Sequence, residues 1–493
     1  MTTYQEYLKE QRELAWRADL RKQIPAKDRT SKERVKMPEQ DALQRSANHA
    51  EVNLGLTAEM AINEAQRCLD CVTPTCVEGC PVGINIPGFI KCIETKDFLG
   101  AAKVLKQTNA LPAVCGRVCP QEIQCESKCF YTIKMNKPAV AIGNLERFAA
   151  DFERESGNIS IPEVAAPNGF KVAVIGSGPA GLAAAGDLIK AGCSVTVFEA
   201  LHEIGGVLKY GIPEFRLPNY MVDVEINNLK QMGVEFITNF VVGSTASIQD
   251  LRDEGYQAFF VSSGAGLPNF MKIPGENYSG ILSSNEYLTR VNLMGAAKPD
   301  YDTPVFLGKN VAVIGGGNTA MDSVRTAKRL GAKRAMIIYR RSLDEMPARK
   351  EEIHHAIEEG VEFMCLNNPL EYFADSQGRV NKMRVQKMEL GEPDASGRRK
   401  PIPMEGSEYE IDVDLVVVSV GVSPNPLIPS SLPQLEMSKW GTIIVDKESM
   451  QSNISDIFAG GDIVRGGATV ILAMGDGRKA AQGILEYLHE FKK

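Results

Sequence analysis

The chain has 493 residues, 44% hydrophobic and 24% charged, with a formal net charge of −7. Its acidic balance offers no electrostatic footprint for nucleic acid, and no apolar run nears the roughly 18 residues that would cross a bilayer. The length suits about three domains of ordinary globular composition.

Residues 1–50 are rich in Lys, Arg, Glu and Gln, with a helical pattern followed by a basic stretch from Lys27 to Lys36. Charge runs are usually solvated, so this segment is expected to be a flexible arm rather than a docking arm. It holds no apolar core of a signal peptide, and thiols without an export signal predict a cytoplasmic protein.

Nine of the eleven cysteines fall between residues 68 and 129. They read Cys68-x2-Cys71-x4-Cys76-x3-Cys80-Pro81, then Cys92, then Cys115-x3-Cys119-Pro120 and Cys125-x3-Cys129. Short spacings ending in Cys-Pro resemble ferredoxin-type runs, whose last cysteine often serves a different cluster from the first three. Structural zinc also suits paired cysteines, but the number of thiolates and the nucleotide loops that follow favour iron. Setting Cys92 aside, eight thiolates suffice for two 4Fe–4S clusters.

A Pro/Asn/Gly linker at 161–169 ends this region. The strand Val172–Ile175 then leads into Gly176-Ser177-Gly178-Pro179-Ala180-Gly181, a GxGxxG turn opening a helix. The first glycine permits the turn, the second lets backbone approach a pyrophosphate, and the third lets helix pack on strand. Phosphates then meet unpaired N–H groups at the helix start. The next strand ends in Glu199, placed to accept bonds from a ribose. Near the C-terminus, Gly461-Asp462 follows a short strand and Thr469 opens a helix, which two-dinucleotide flavoproteins use at the flavin. FAD is therefore assigned to the first loop, with Gly206 among the glycines shaping its pocket.

A second copy begins at Val311–Ile314 and runs Gly315-x-Gly317-Asn318-Thr319-Ala320. Its second strand ends in Tyr339-Arg340-Arg341 and carries no acid at the ribose position. A carboxylate there would repel a 2′-phosphate, whereas a guanidinium can bind it with two charge-assisted bonds. NADPH is expected over NADH. Residues 391–407 read as a hairpin or loop insertion. His354 and His355, adjacent on a helix, cannot share a face and are read as surface residues. No Cys-x-x-Cys stands by either loop, which argues against a flavin–disulfide mechanism.

The order of these motifs resembles the small subunit of NADPH-dependent glutamate synthase, from about Glu51 to the C-terminus. The stretches RCLDC…CVEGCPVGINIP, LPAVCGRVCPQEIQCESKC, IGNLERF, VIGSGPAGL, IGGVLKYGIPEFRLP, VIGGGNTAMD, IYRRSLDEMPA and FAGGDIVRGGATVILAMGDGR carry the likeness. The same module is found in dihydropyrimidine dehydrogenase and in the large subunit of the electron-bifurcating NADH-dependent ferredoxin:NADP oxidoreductase. The resemblance implies an α/β chain with two Rossmann-like domains behind a helical iron–sulfur domain. The expected divisions are 1–50, 51–160, 168–300 (FAD), 301–420 (NADPH) and 421–493 (FAD again). It also implies one cluster on Cys80, Cys119, Cys125 and Cys129. The other would take Cys68, Cys71 and Cys76, with Glu146 or Cys115 as fourth ligand. No side chain need act as a catalytic nucleophile or acid–base. Electrons would pass to a glutamate synthase large subunit or another accepting subunit. The rival readings are the bifurcating enzyme and a non-catalytic or zinc-stabilised interaction subunit.

Overall fold

A computed structural model describes residues 4–395 and 397–490. Among them, no helix is long and apolar enough to cross a membrane. The cysteine region folds as short helices whose starts are fixed by polar side chains. Thr57 Oγ1 accepts from Met60 N at 3.3 Å, Asn85 Oδ1 from Gly88 N at 3.0 Å, and Asp97 Oδ1 from Gly100 N at 2.9 Å. Each satisfies a donor that helix geometry leaves orphaned. Around them the apolar faces of Ile86–Glu94, Phe98–Lys106 and Pro112–Val118 close on the central helix Ile142–Ser156. At Gly116 the backbones nearly touch: a Cβ there would lie 2.5 Å from Arg147 N.

The N-terminal 50 residues do not behave as the solvated arm expected of them. Arg17, Arg29 and Arg45 are buried, and Arg12, Arg21 and Arg34 half-buried, each matched by a carboxylate. Arg17 pairs with Asp70, and Arg21 joins it at 2.7 Å. Arg29 meets Glu94 at 2.8 Å. Arg45 reaches Glu358 at 2.5 Å and Glu359 at 3.2 Å, 313 and 314 residues further along the chain. Opposite charges fixed in specific pairs, rather than left to water, make the segment a strap over the cysteine domain.

Two parallel sheets follow. The first has the order Ile457–Ala459, Ala258–Val261, Lys171–Ile175, Ser194–Phe198, Glu235–Ile237. In register, Val174 sits between Val197 and Phe260. Helices cover both faces, so these strands are apolar throughout rather than alternating. The last strand returns from residue 457 to complete the sheet, so this domain is discontinuous in sequence. The second sheet has the order Ile281–Ser283, Leu415–Val418, Asn310–Ile314, Arg334–Tyr339, Glu362–Cys365. Because Ile281–Ser283 belongs to it, the division expected at 300/301 falls inside this domain and moves back to about 280. The hairpin expected at 391–407 is present: Val380–Pro393 pairs antiparallel with Arg399–Pro403, beside Asn367–Ala374 and Tyr409–Asp412.

The two sheets are tied by buried charge. Arg216 lies beyond the first loop and meets Asp322 at 2.8 Å and Glu352 at 3.0 Å. Phe215 beside it lies under the guanidinium of Arg329, 3.9 Å from the ring centre. Arg325 and Arg329 both grip Glu359 at 2.7 Å. Removing one member of such a web would strand its partners' charges, at about 3–5 kcal/mol.

Candidate cofactor sites

The first glycine loop is tight where it meets the sheet and open where a ligand would sit. Gly176 has φ +100°, and a Cβ on it would lie 2.6 Å from Ser262 O. A Cβ on Gly181 would lie 2.0 Å from Gly176 O. Gly178, between them, would meet nothing within 4 Å, which leaves room for a pyrophosphate over the start of helix Pro179–Lys190. Gly206 closes the other side, its Cβ position 3.0 Å from Gly178 Cα.

Glu199 is buried at the end of the second strand. Its Oε2 accepts from Ser177 N at 2.9 Å and Ser177 Oγ at 2.5 Å, and its Oε1 accepts from Leu201 N at 2.8 Å. Oε1 keeps a lone pair for a ribose hydroxyl.

The C-terminal turn converges on the same loop. A Cβ on Gly461, which has φ +76°, would lie 3.1 Å from Ala180 Cβ. Asp462 Oδ1 accepts from Ala468 N at 3.1 Å, and burial lifts this carboxyl to about 6. The phenol of Tyr210 is pushed to about 12 by burial and by the charges of Asp462 and Glu199. Ser177 and Glu199 are thus bonded, and Tyr210 lies within reach of the charges of Glu199 and Asp462. Thr469 starts the long helix, its Oγ1 accepting from Leu472 N at 3.4 Å. Sequence reasoning missed Asp476, whose buried carboxylate accepts from Gly461 N at 3.0 Å and pairs with Arg465 at 2.6 Å. Its signal was an acid between two glycines in an apolar helix.

The second loop repeats the plan. Gly315 has φ +139° with Ser419 O 2.2 Å from its Cβ position, and Gly317 is open. Ala320 is fully buried at the third position. Thr319 lies in the first turn of the helix, its carbonyl accepting from Ser323 Oγ at 2.8 Å. Asn318 Oδ1 accepts from Arg349 N at 2.9 Å. The arginine pair splits. Arg340 is exposed, and among the described residues nothing pairs with it. Arg341 is buried, donating to Arg399 O at 2.8 Å and pairing with Asp394 at 2.6 Å. It anchors the hairpin insertion.

The cysteines form two pockets, grouped otherwise than the resemblance implied. Cys68, Cys71, Cys76 and Cys129 line one. Cys80, Cys119, Cys125 and Glu146 line the other. Cys129 therefore moves to the first group and Glu146 to the second, because the chain between Cys125 and Cys129 crosses from one pocket to the other. Cys115 lines neither; its sulfur lies 3.5 Å from Met474 Sδ and 3.7 Å from Asn109 Oδ1. Burial pushes the Cys71 thiol to about 12, with the charges of Cys68 and Cys129 adding to it, and burial pushes Cys80 to about 11. Burial also lifts Glu146 to about 8, although Asn109 donates to it at 2.7 Å. Four acidic donors forced together out of water suit a cationic centre, which would favour their ionised forms. The second pocket is also lined by Ile471, two residues past Thr469.

His355, expected on the surface, is only 2% exposed, with Nε2 3.1 Å from Glu39. Glu351 lies close to both. Arg45 holds Glu39 at 3.2 Å and Arg349 holds Glu351 at 2.7 Å. These carboxylates are already paired with arginines and serve as an inter-domain tie.

The fold and these pockets define an NAD(P)H-dependent flavin and iron–sulfur oxidoreductase. The family described as dihydropyrimidine dehydrogenase domain II, 4Fe–4S cluster, matches residues 45–158. Pyridine nucleotide–disulphide oxidoreductase matches residues 170–477. The glutamate synthase [NADPH] small chain of Azospirillum brasilense is 38% identical over 92% of this chain and 94% of its own length. The NADP(+)-dependent formate dehydrogenase subunit beta of Moorella thermoacetica is 37% identical over 85% of this chain and 60% of that one. FprA from Mycobacterium tuberculosis shares the fold, with TM-score 0.55 and 19% identity over 66% of this chain and 85% of that one. The chain belongs to the glutamate synthase small-subunit family.

Proposed function

We propose that this protein is the NADPH-oxidising, electron-input subunit of a glutamate synthase. FAD would lie on Gly178 and Glu199, NADPH on Gly317 and Arg340, and a 4Fe–4S cluster in each cysteine pocket. FAD, when bound, accepts a hydride and can release its electrons singly, as iron–sulfur clusters require. The chain's own part is placement. Asp462 and the helix after Thr469 hold the flavin side of the first sheet. The single observation that carries the reading is Ile471, which stands on that helix and also lines the pocket of Cys80, Cys119, Cys125 and Glu146. The inner pocket thereby abuts the flavin helix. The outer one has two partly exposed cysteines, Cys71 and Cys76, against Cys80 alone in the inner, and is the side on which an accepting subunit would dock. The likeness to glutamate synthase small chains along nearly their whole length supports that partner.

The test is anaerobic purification with the native partner, followed by NADPH oxidation assays. Turnover that requires glutamine and 2-oxoglutarate together supports the reading. Turnover that requires ferredoxin and NAD together would replace it with the bifurcating one. Absence of iron after reconstitution would end both. Replacing Cys129 with Ser should remove the EPR signal of the outer cluster and spare the inner, as the observed grouping requires.

A further inference from the structure

Arg349 belongs to neither the nucleotide motifs nor the cysteine array, yet it touches both. It precedes helix Lys350–Glu358, directly beneath the second glycine loop. Its backbone N–H donates to Asn318 Oδ1 at 2.9 Å, and Ala348 N donates to Gly316 O at 3.2 Å. Its guanidinium points the other way. Nη1 donates to Arg117 O and Nη2 to Gln121 Oε1, both at 3.0 Å.

Gln121 lies between Cys119 and Cys125 and lines the inner pocket with them. Its side-chain nitrogen donates to Cys115 O at 3.3 Å. It packs so closely on Gly143 that a Cβ there would lie 2.2 Å from it, one turn before Glu146 on the same helix. A single buried residue, 7% exposed, thus joins the NADP loop through its backbone and the cluster loop through its side chain. A guanidinium suits this place because its planar fork reaches two acceptors at fixed geometry and keeps its charge.

We propose that Arg349 is a positioning residue that couples occupancy of the second nucleotide loop to reduction of the inner cluster. The inference rests on the electron-input reading above. A nucleotide settling on Gly317 and Asn318 displaces the Asn318 side chain and the backbone bonded to it. Close-packed interiors transmit such shifts rather than absorb them. The guanidinium then moves against Gln121, and hydrogen bonds around a cluster's ligands set how readily it takes an electron. The coupling is reciprocal, so reduction changes nucleotide affinity by the same factor.

The experiment is an EPR-monitored potentiometric titration of the loaded protein, with and without tetrahydro-NADP, a redox-inert analogue. In the wild type, the analogue should shift the reduction equilibrium of one cluster about tenfold, which is about 59 mV for one electron. Arg349→Gln should abolish that shift while iron, sulfide and flavin contents stay normal, and Arg349→Lys should restore part of it. A shift that persists in Arg349→Gln, or is missing from the wild type, overturns the proposal. Should Arg349→Gln fail to load iron, Gln121→Met cuts the link from the other end. Loss of the shift in Gln121→Met supports the coupling and its retention overturns it. A wild type with no cluster signal at all would bring down the relay reading itself, and the coupling with it.

Discussion

In the first dinucleotide half, the third glycine has no room for a side chain: a Cβ on Gly181 would lie 2.0 Å from Gly176 O. In the second half, Ala320 occupies that place, fully buried. The first loop is held by backbone contact, with Gly206 and Gly461 crowding it from outside. The second meets backbone too, at Gly315 against Ser419 O, but adds side chains: Asn318 takes Arg349 N, and Tyr339 packs where a Cβ on Gly316 would stand, 2.8 Å away. The strand ends differ too, in Glu199 against Arg340. A loop locked by backbone suits a cofactor that stays, and a loop pinned by movable side chains suits one that comes and goes.

The largest effect should follow from putting a methyl where the first half has none. Gly181→Ala drives a Cβ into a backbone oxygen, a clash costing about 1–3 kcal/mol or more and spread through the phosphate turn. Flavin content of the purified protein should fall about tenfold or more, read from the visible spectrum. Full retention of flavin would show that the first loop is no tighter than the second.

Next comes the charge at the strand end. Arg340→Ala should lower kcat/KM for NADPH by about 10–100-fold, the worth of charge-assisted bonds to a phosphate, and leave that for NADH unchanged. Arg341→Ala should loosen the hairpin held through Asp394 and change the NADPH/NADH ratio little. Equal loss with both nucleotides in Arg340→Ala would remove the 2′-phosphate assignment.

The carboxyl beyond the edge strand Ile457–Ala459 of the first sheet gives a pH test. Asp462 rises from 3.8 to about 6 in the fold, mainly through burial. The folded chain therefore holds this proton more tightly than the unfolded chain. The resulting penalty on stability is absent below about pH 4, grows between 4 and 6, and is complete above 6. Asp462→Asn should stabilise the flavin-free protein at pH 8 by about 1–3 kcal/mol, discounted because the group is half-buried. The gain should vanish near pH 4 in denaturant titrations; a gain independent of pH would point to packing instead.

The parts of this comparison that sequence could read are those fixed by local chain geometry. Glycines at 176, 178 and 181, and at 315 and 317, are demanded by turns whose shape is local. The cysteines were legible as ligand types but not as sets. Spacing along the chain does not say that the segment after Cys125 crosses between pockets and delivers Cys129 to Cys68, Cys71 and Cys76. The N-terminal strap was read as solvated because an arginine run looks the same whether water or a distant carboxylate answers it; Glu359 lies 314 residues beyond Arg45. Arg349 and Gln121, 228 residues apart, left no local signature.

The smallest expected effect tests the second loop alone. Ala320→Gly restores the glycine pattern of the first half. If helix and strand in the second half were held apart only by that methyl, removing it would let them close and would tighten nucleotide binding. The hydrogen bonds from the segment below argue otherwise. Asn318 and Gly316 are fixed by Arg349 and Ala348 from below, so the loop should stay where it is and the lost methyl should leave a small void. The change then reads as a propensity and packing loss of about 1–2 kcal/mol, seen as a lower unfolding midpoint, with the KM for NADPH moving less than about threefold by the affinity scale. A large drop in KM would show that the second loop, like the first, is governed by backbone approach.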